Sequence, residues 1–200
     1  MWAPTEIQLP HGRLNEYVAA AVLMALPFEQ RLLRVFCDFS AGWVERAPNG
    51  TAVWPDDHWT QLRWGAESGL QTDIAYSPPL PSRAQVFGEL QRGRLTDFLW
   101  QRVDQSVLWE SFYSSYAFVA SPVGRGLDCY RTWEALAMGA IPIVQRVPGF
   151  AVFDGLPIVQ VDDWSQVNLP NLVYWAKKLG PEAGSVATME KLTARYWFAG

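Results

Sequence analysis

The chain has 200 residues, of which 50% are apolar and 18% charged, with a net charge of -4. That length suits one globular domain with a sizeable core, and the acidic balance argues against a nucleic-acid partner, which would need a basic face. Two histidines and two cysteines leave little material for a zinc cluster or for Ser-His or Cys-His catalysis, and Cys37 and Cys129 read as small buried hydrophobes.

In chain order, the apolar run "YVAAAVLMALPF" (17–28) is too short to span a bilayer. It reads as a buried helix ended by Pro27, and no basic segment with a cleavage site precedes it, so neither a transmembrane segment nor a signal peptide is expected and the chain reads as soluble. Residues 1–30 are expected to form a linker or helical segment, and 31–200 the domain. "LLRVFCDFS" (32–40) predicts a first strand, "ERAPNGTAVWP" a surface loop, and "DHWTQLRWGAESG" a helix capped by Asp56 and stopped near Gly69. "TDIAYS" predicts a second strand. In "GRLTDFLWQRVDQSVLWESFYSS", Leu95, Phe98, Leu99, Val103 and Val107 fall at helical spacing. "YAFVASP", "AIPIVQ" and "LPIVQVDDW" predict three further strands, and "LPNLVYWAKKLG" and "MEKLTARYW" two closing helices. Strands alternating with helices imply an α/β fold: a Rossmann-like, mostly parallel sheet of five or six strands with helices on both faces. Ligands bind such sheets beyond the carboxyl ends of the strands, where strand order reverses.

The stretch "SPVGRGLDCYRTWEALAMGAIPIV" (121–144) leaves a strand at such an end. Gly124 and Gly126 let the backbone turn tightly and approach a ligand. Asp128 is placed to cap a helix beginning at Cys129, whose first N–H groups suit a diphosphate. Cys129, Trp133, Leu136, Ala137 and Ala140 share one helix face, expected to be the sheet side, and Gly139 ends the helix. Arg131 and Glu134 lie roughly opposite, with Met138 on their side. Taken alone, they would make a surface ion pair worth roughly 0.2–0.5 kcal/mol. The 11 tryptophans leave two readings open, stacking on sugar rings or the filling of helix–sheet contacts by Trp59, Trp64, Trp100, Trp109 and Trp175.

As an ordered set, "YAFVASPVGRGLDCYRTWEALAMGAIPIV" resembles the exostosin-like glycosyltransferases, with their "SPxGxGxDxxRTWEALxxGxIPI" core. The close likeness covers about thirty residues, with looser similarity from the first strand to Trp164. It implies a single half-domain of the two-lobed GT-B architecture, the C-terminal half that holds a nucleotide diphosphate sugar, in the first instance a UDP-sugar. The acceptor would be a carbohydrate or glycoconjugate hydroxyl. Arg131 would face the donor diphosphate, Glu134 the ribose hydroxyls, and Gly124, Gly126 and Asp128 would shape the loop around it. The strand "YAFVASP" would lie beside the first strand, with Ser40 to Gly42 facing the same cleft. No metal or cofactor is implied, although Asp162 and Asp163 form a carboxylate pair. No residue stands out as a catalytic base. Two departures go with the resemblance. An N-terminal acceptor half has no room in 1–30 and would come from a missing domain or a partner chain. The family's arginine soon after the first strand has only Arg46 as a nearby counterpart. The alternative function is a non-catalytic nucleotide-binding or protein-interaction module derived from such a domain.

Overall fold

The computed structural model describes residues 25–39, 45–46, 52–53, 80–99, 103–123, 127–193 and 196, with backbone alone at 45–46 and 52–53. Its strands are β1 (Leu32–Cys37), β2 (Glu45–Arg46), β3 (Ala52–Val53), β4 (Thr96–Phe98), β5 (Tyr116–Ala120), β6 (Ile141–Gln145) and β7 (Val159–Val161). Its helices are α1 (Arg83–Gly93), α2 (Gln105–Val107, continued as a π-helix over Leu108–Tyr113), α3 (Tyr130–Ala137), α4 (Leu169–Leu179) and α5 (Val186–Lys191).

Five strands form one sheet in the order β4-β1-β5-β6-β7, and every pairing in it is parallel. The buried runs "VFC" of β1, "AFVA" of β5 and "IPIV" of β6 are apolar without alternation because both sheet faces are covered. Val35 and Cys37 of β1, Phe118 and Ala120 of β5, and Ile141 and Ile143 of β6 pack on one face with Val86, Phe87 and Leu90 of α1 and Leu172 of α4. Phe36 of β1 and Val119 of β5 point the other way, onto Leu108, Trp109 and Tyr113 of α2 and Ala135 of α3. The fold is thus a Rossmann-like α/β domain. Among the described residues no helix is long and apolar enough to cross a membrane.

Local chemistry sets the element ends. α1 starts with a capping box, in which Ser82 Oγ accepts from Gln85 N at 3.3 Å and Gln85 Oε1 accepts from Ser82 N at 2.7 Å. α4 starts at Asn168, whose side chain accepts from Asn171 N at 3.1 Å, and carries Lys177 and Lys178 in its last turn.

Three expected elements differ. The long helix over 93–115 is a strand followed by a helix, because Leu95 and Phe98 pack on one sheet face and Leu99 on the other. Sheet pairing decides the matter: Phe98 lies in register with Cys37, and the Asp97 carboxylate accepts from Arg34 of β1 at 2.6 and 2.8 Å. The surface loop over 45–55 contains the antiparallel pair β2–β3, joined through an Asn-Gly sequence of the kind that favours hairpins. The last helix, expected over 189–197, is α5, and it starts earlier because Ser185 Oγ accepts from Thr188 N at 3.2 Å. The expected helix at 17–28 is described only from Ala25, where Ala25–Pro27 are not helical and Phe28 opens a 3-10 turn over Phe28–Gln30; the expected helix at 56–69 and the strand "TDIAYS" lie outside the described residues.

Gly139 ends α3 as expected, with φ of +74°. Beside it the buried Arg31 guanidinium donates to Leu26 O at 2.9 Å, Tyr113 O at 3.1 Å and Met138 O at 2.8 Å. Burial lowers its pKa to about 10. Arg31 therefore satisfies carbonyls at the ends of α2 and α3 at once. A Cβ at Gly139 would stand 2.9 Å from Arg31 Nη2 and 3.3 Å from Gly184 Cα. Gly139→Ala combines a left-handed backbone with that clash, and a loss of about 1–3 kcal/mol is expected in urea unfolding. An unchanged midpoint would show that Arg31 yields without cost.

Candidate functional site at the β1/β5 switch point

Strand order reverses between β1 and β5: the chain leaves β1 for β4 on one side and returns to β5 on the other. The carboxyl ends of these two strands therefore open the crevice where such sheets bind ligands. Asp38 follows β1, and Ser121 follows β5. Ser121 Oγ and Thr132 Oγ1 of α3 are 2.8 Å apart, which ties the helix to the strand that precedes it.

α3 is buried on nearly every side, and this corrects the expected helix orientation. Arg131 is 3% exposed and Glu134 5%, while Tyr130 is 57% exposed. The side facing away from the apolar stripe meets α2 and the end of β1, not solvent. Met138, expected to lie on an open face, is buried with Phe36 and Trp109. The surface ion pair between Arg131 and Glu134 is replaced by a buried one, in which Arg131 Nε donates to Asp38 Oδ1. Asp38 Oδ2 accepts from Tyr113 Oη at 2.9 Å, and Glu134 Oε2 accepts from Gln105 Nε2 at 3.2 Å. Asp38 thus meets Arg131 and Tyr113, and Glu134 meets Gln105, so α3 is tied both to the end of β1 and to α2.

Asp128 does not cap α3. The helix starts one residue later than expected, at Tyr130, with Cys129 as N-cap and no side-chain cap bond. The first helical bond runs from Thr132 N to Cys129 O at 3.0 Å, so Asp128 stands one position too early. Both cysteines are free and buried, as expected. Gly124, Gly126 and Ser40 to Gly42 lie outside the described residues, as do Trp59, Trp64 and Trp100. Of the tryptophans expected in helix–sheet contacts, Trp109 is buried beside Phe36 and Trp175 packs edge-on against Phe118. Asp162 and Asp163 serve local structure. Asp162 pairs with Arg146 at 2.9 Å and Asp163 accepts from Ser165 N at 2.7 Å.

The electrostatics follow from burial. Desolvation pushes the Glu134 carboxyl up to about 7, and the nearby Asp38 carboxylate adds to the rise. Trp109, Arg131 and Gln105 oppose it. Trp109 Nε1 is buried without an acceptor at hydrogen-bond geometry, so its influence on Glu134 is that of a nearby dipole. Burial works against the charge of Arg131, yet Asp38, helped by Tyr113 and Tyr130, holds its pKa above the ordinary value. Burial raises the Tyr113 phenol, with Asp38 contributing. Arg131 Nη1 is buried and finds no hydrogen-bond acceptor.

Three neighbours were not anticipated from the sequence: Asp38, Tyr113 and Arg83. Arg83 is the first residue of α1, and its Nε donates to Val123 O at 3.0 Å, at the start of the glycine loop. Its pKa is lowered by burial and then by the like charge of Arg131. A cation at the first position of a helix opposes the macrodipole, and that mismatch was the available signal. Arg46, the counterpart considered for the family's arginine, is described only by its backbone in β2. For Asp38 the signal was an ionisable residue directly following a buried strand. Among the described residues no group of three His, Cys, Asp or Glu side chains could hold a metal ion. No protein-family model matches the sequence, and no curated protein matches it.

Proposed function

We propose that this chain is the donor half of a glycosyltransferase of the exostosin-like, GT-B kind. It would move a sugar from a nucleotide diphosphate sugar to an acceptor hydroxyl. The observation that carries this reading is that two guanidinium groups sit at the carboxyl ends of the switch-point strands: Arg131 Nε donates to Asp38, which follows β1, and Arg83 Nε donates at 3.0 Å to Val123 O, which follows β5. Like charges held close in a partly dry site favour an anion with more than one charged centre, as a diphosphate has. Arg83 would supply a second cation at the site, from the start of α1 rather than from the position soon after the first strand. Glu134, one turn along α3 from Arg131, would accept from the ribose hydroxyls, and a carboxyl near 7 can also donate to them. Negative charge developing on the leaving diphosphate would be stabilised by the two guanidiniums. The acceptor half would come from another domain or chain.

The pairing of Arg131 with Asp38 gives weight to a second reading, a binding module that holds a nucleotide without turning it over. Calorimetric titration with uridine and guanosine diphosphates tests the shared premise. Wild type is expected to bind one of them, and Arg83→Gln to bind it about ten- to a hundredfold more weakly, the worth of one charged hydrogen bond. Equal affinity in a folded Arg83→Gln variant removes Arg83 from the site. Binding without donor hydrolysis or sugar transfer, once an acceptor half is supplied, would select the module.

A further inference from the structure

Asp38 is the one carboxylate that pairs with Arg131 among the described residues, and it does so through a single edge of the guanidinium. Its Oδ1 takes Arg131 Nε while its Oδ2 is held by Tyr113 Oη at 2.9 Å. Both partners are nearly dry: the Arg131 side chain is 4% exposed and that of Asp38 9%. Tyr113 is itself fixed, fully buried beside Phe36 and with its carbonyl taken by Arg31 at 3.1 Å. The chain of contacts therefore runs from the packed core through Tyr113 and Asp38 to Arg131. At its end stands an unmet donor, Nη1, buried and without an acceptor. A buried donor left unpaired costs free energy that an incoming acceptor recovers.

We propose that Asp38 is a positioning residue for the anion site: it holds Arg131 by Nε so that Nη1 is presented to a ligand phosphate oxygen. The inference rests on the donor-site reading above and adds to it how the guanidinium is aimed. The ligand does not displace Asp38. It completes a relay in which Arg131 bonds to the carboxylate on one side and to the phosphate on the other. A long flexible side chain pinned in this way loses no further freedom when the ligand arrives.

The test uses uridine diphosphate, guanosine diphosphate and inorganic pyrophosphate as probes in calorimetric titrations of wild type, Asp38→Ala and Asp38→Asn. Asp38→Ala is expected to lose about tenfold or more in affinity. Asp38→Asn keeps an acceptor for Nε and is expected to restore binding to the wild-type level or above, since a negative charge near the anion is gone. An Asn variant as weak as the Ala variant would overturn the positioning role, as would an Ala variant with wild-type affinity. If Asp38→Ala fails to fold, the Arg131 Nε–H resonance, assigned by its loss in Arg131→Lys, decides together with Asp38→Asn. It should stay protected from exchange when the nucleotide is added, and loss of protection would mean that the ligand expels Asp38. If wild type binds none of the three probes, the donor-site reading falls and takes this inference with it. Wild-type binding that is indifferent to Asp38 removes the inference alone.

Discussion

Arg131→Ala is expected to destabilise the domain by about 3–5 kcal/mol, the usual consequence of removing one partner from a buried ion pair. The Asp38 carboxylate would be left with Tyr113 Oη as its hydrogen-bond partner and no cation beside it. As a surface pair at one-turn spacing the same arginine would be worth only roughly 0.2–0.5 kcal/mol, so the two cases differ by several-fold in a urea titration. Replacing both partners with apolar residues of similar size, Arg131→Met with Asp38→Leu, should recover part of the loss, because neither charge then needs a partner while the buried Tyr113 Oη loses its acceptor. A single Ala variant within about 0.5 kcal/mol of wild type would mean that water reaches the pair. The alanine variant is therefore a probe of stability before it is a probe of binding, and nucleotide titrations on it require a melt at the same pH.

Stability should also depend on pH through Glu134. Its carboxyl titrates near 7 in the folded chain against an ordinary value of 4.5. Between those values the folded state keeps a proton that the unfolded state has released, so stability falls as pH rises through this window. Below about 4.5 the cost is absent, and above about 7 it is complete. At about 1.4 kcal/mol per pH unit, the full penalty is on the order of 3 kcal/mol. Glu134→Gln, which mimics the neutral acid, should match wild type at acidic pH and exceed it by on the order of 2–3 kcal/mol at pH 8. Parallel stability curves for the two proteins between pH 5 and 8 would place the titrating group elsewhere. In a ligand complex, hydroxyl donors reaching Glu134 would favour its charged form and shrink the difference.

The parallel strands were legible because burial on both faces writes itself as unbroken apolar runs, such as "VFC", "AFVA" and "IPIV". β4 was not, since Leu95, Phe98 and Leu99 satisfy a helical period by position while two of them face one side of a sheet and the third the other. Helical spacing says which residues share a side, and nothing about what covers that side. Arg131 and Glu134 were therefore recognisable as a pair of interest, yet α2 and the end of β1, which bury them, are distant in the chain. Tyr113, Asp38 and Arg131 meet only after β1, α2 and α3 have been stacked, and no local pattern marks that meeting. Asp128 illustrates the finer limit: a cap residue is readable, but a one-residue shift in the helix start removes its role.

The strand order has a consequence for how the domain is made. β1 is the first strand of the sheet to be synthesised, yet it lies between β4 and β5, and its register partners run from Thr96 to Val119. It has no sheet neighbour until β4 has been translated, about sixty residues on, and its second edge stays open until β5 follows. β5 and β6, by contrast, each pair with the next sheet strand in sequence, and such shorter-range pairing carries a smaller entropic cost. A growing chain would therefore assemble its C-terminal sheet block last in time but fastest in rate, with β1 docking onto its open side. Because Asp38 is carried on β1, the guanidinium on α3 acquires its counter-charge only at that docking step. Without β1 in place, the arginine on α3 lacks its counter-charge and β5 presents an unpaired edge, the kind of exposure that favours association with a wrong partner.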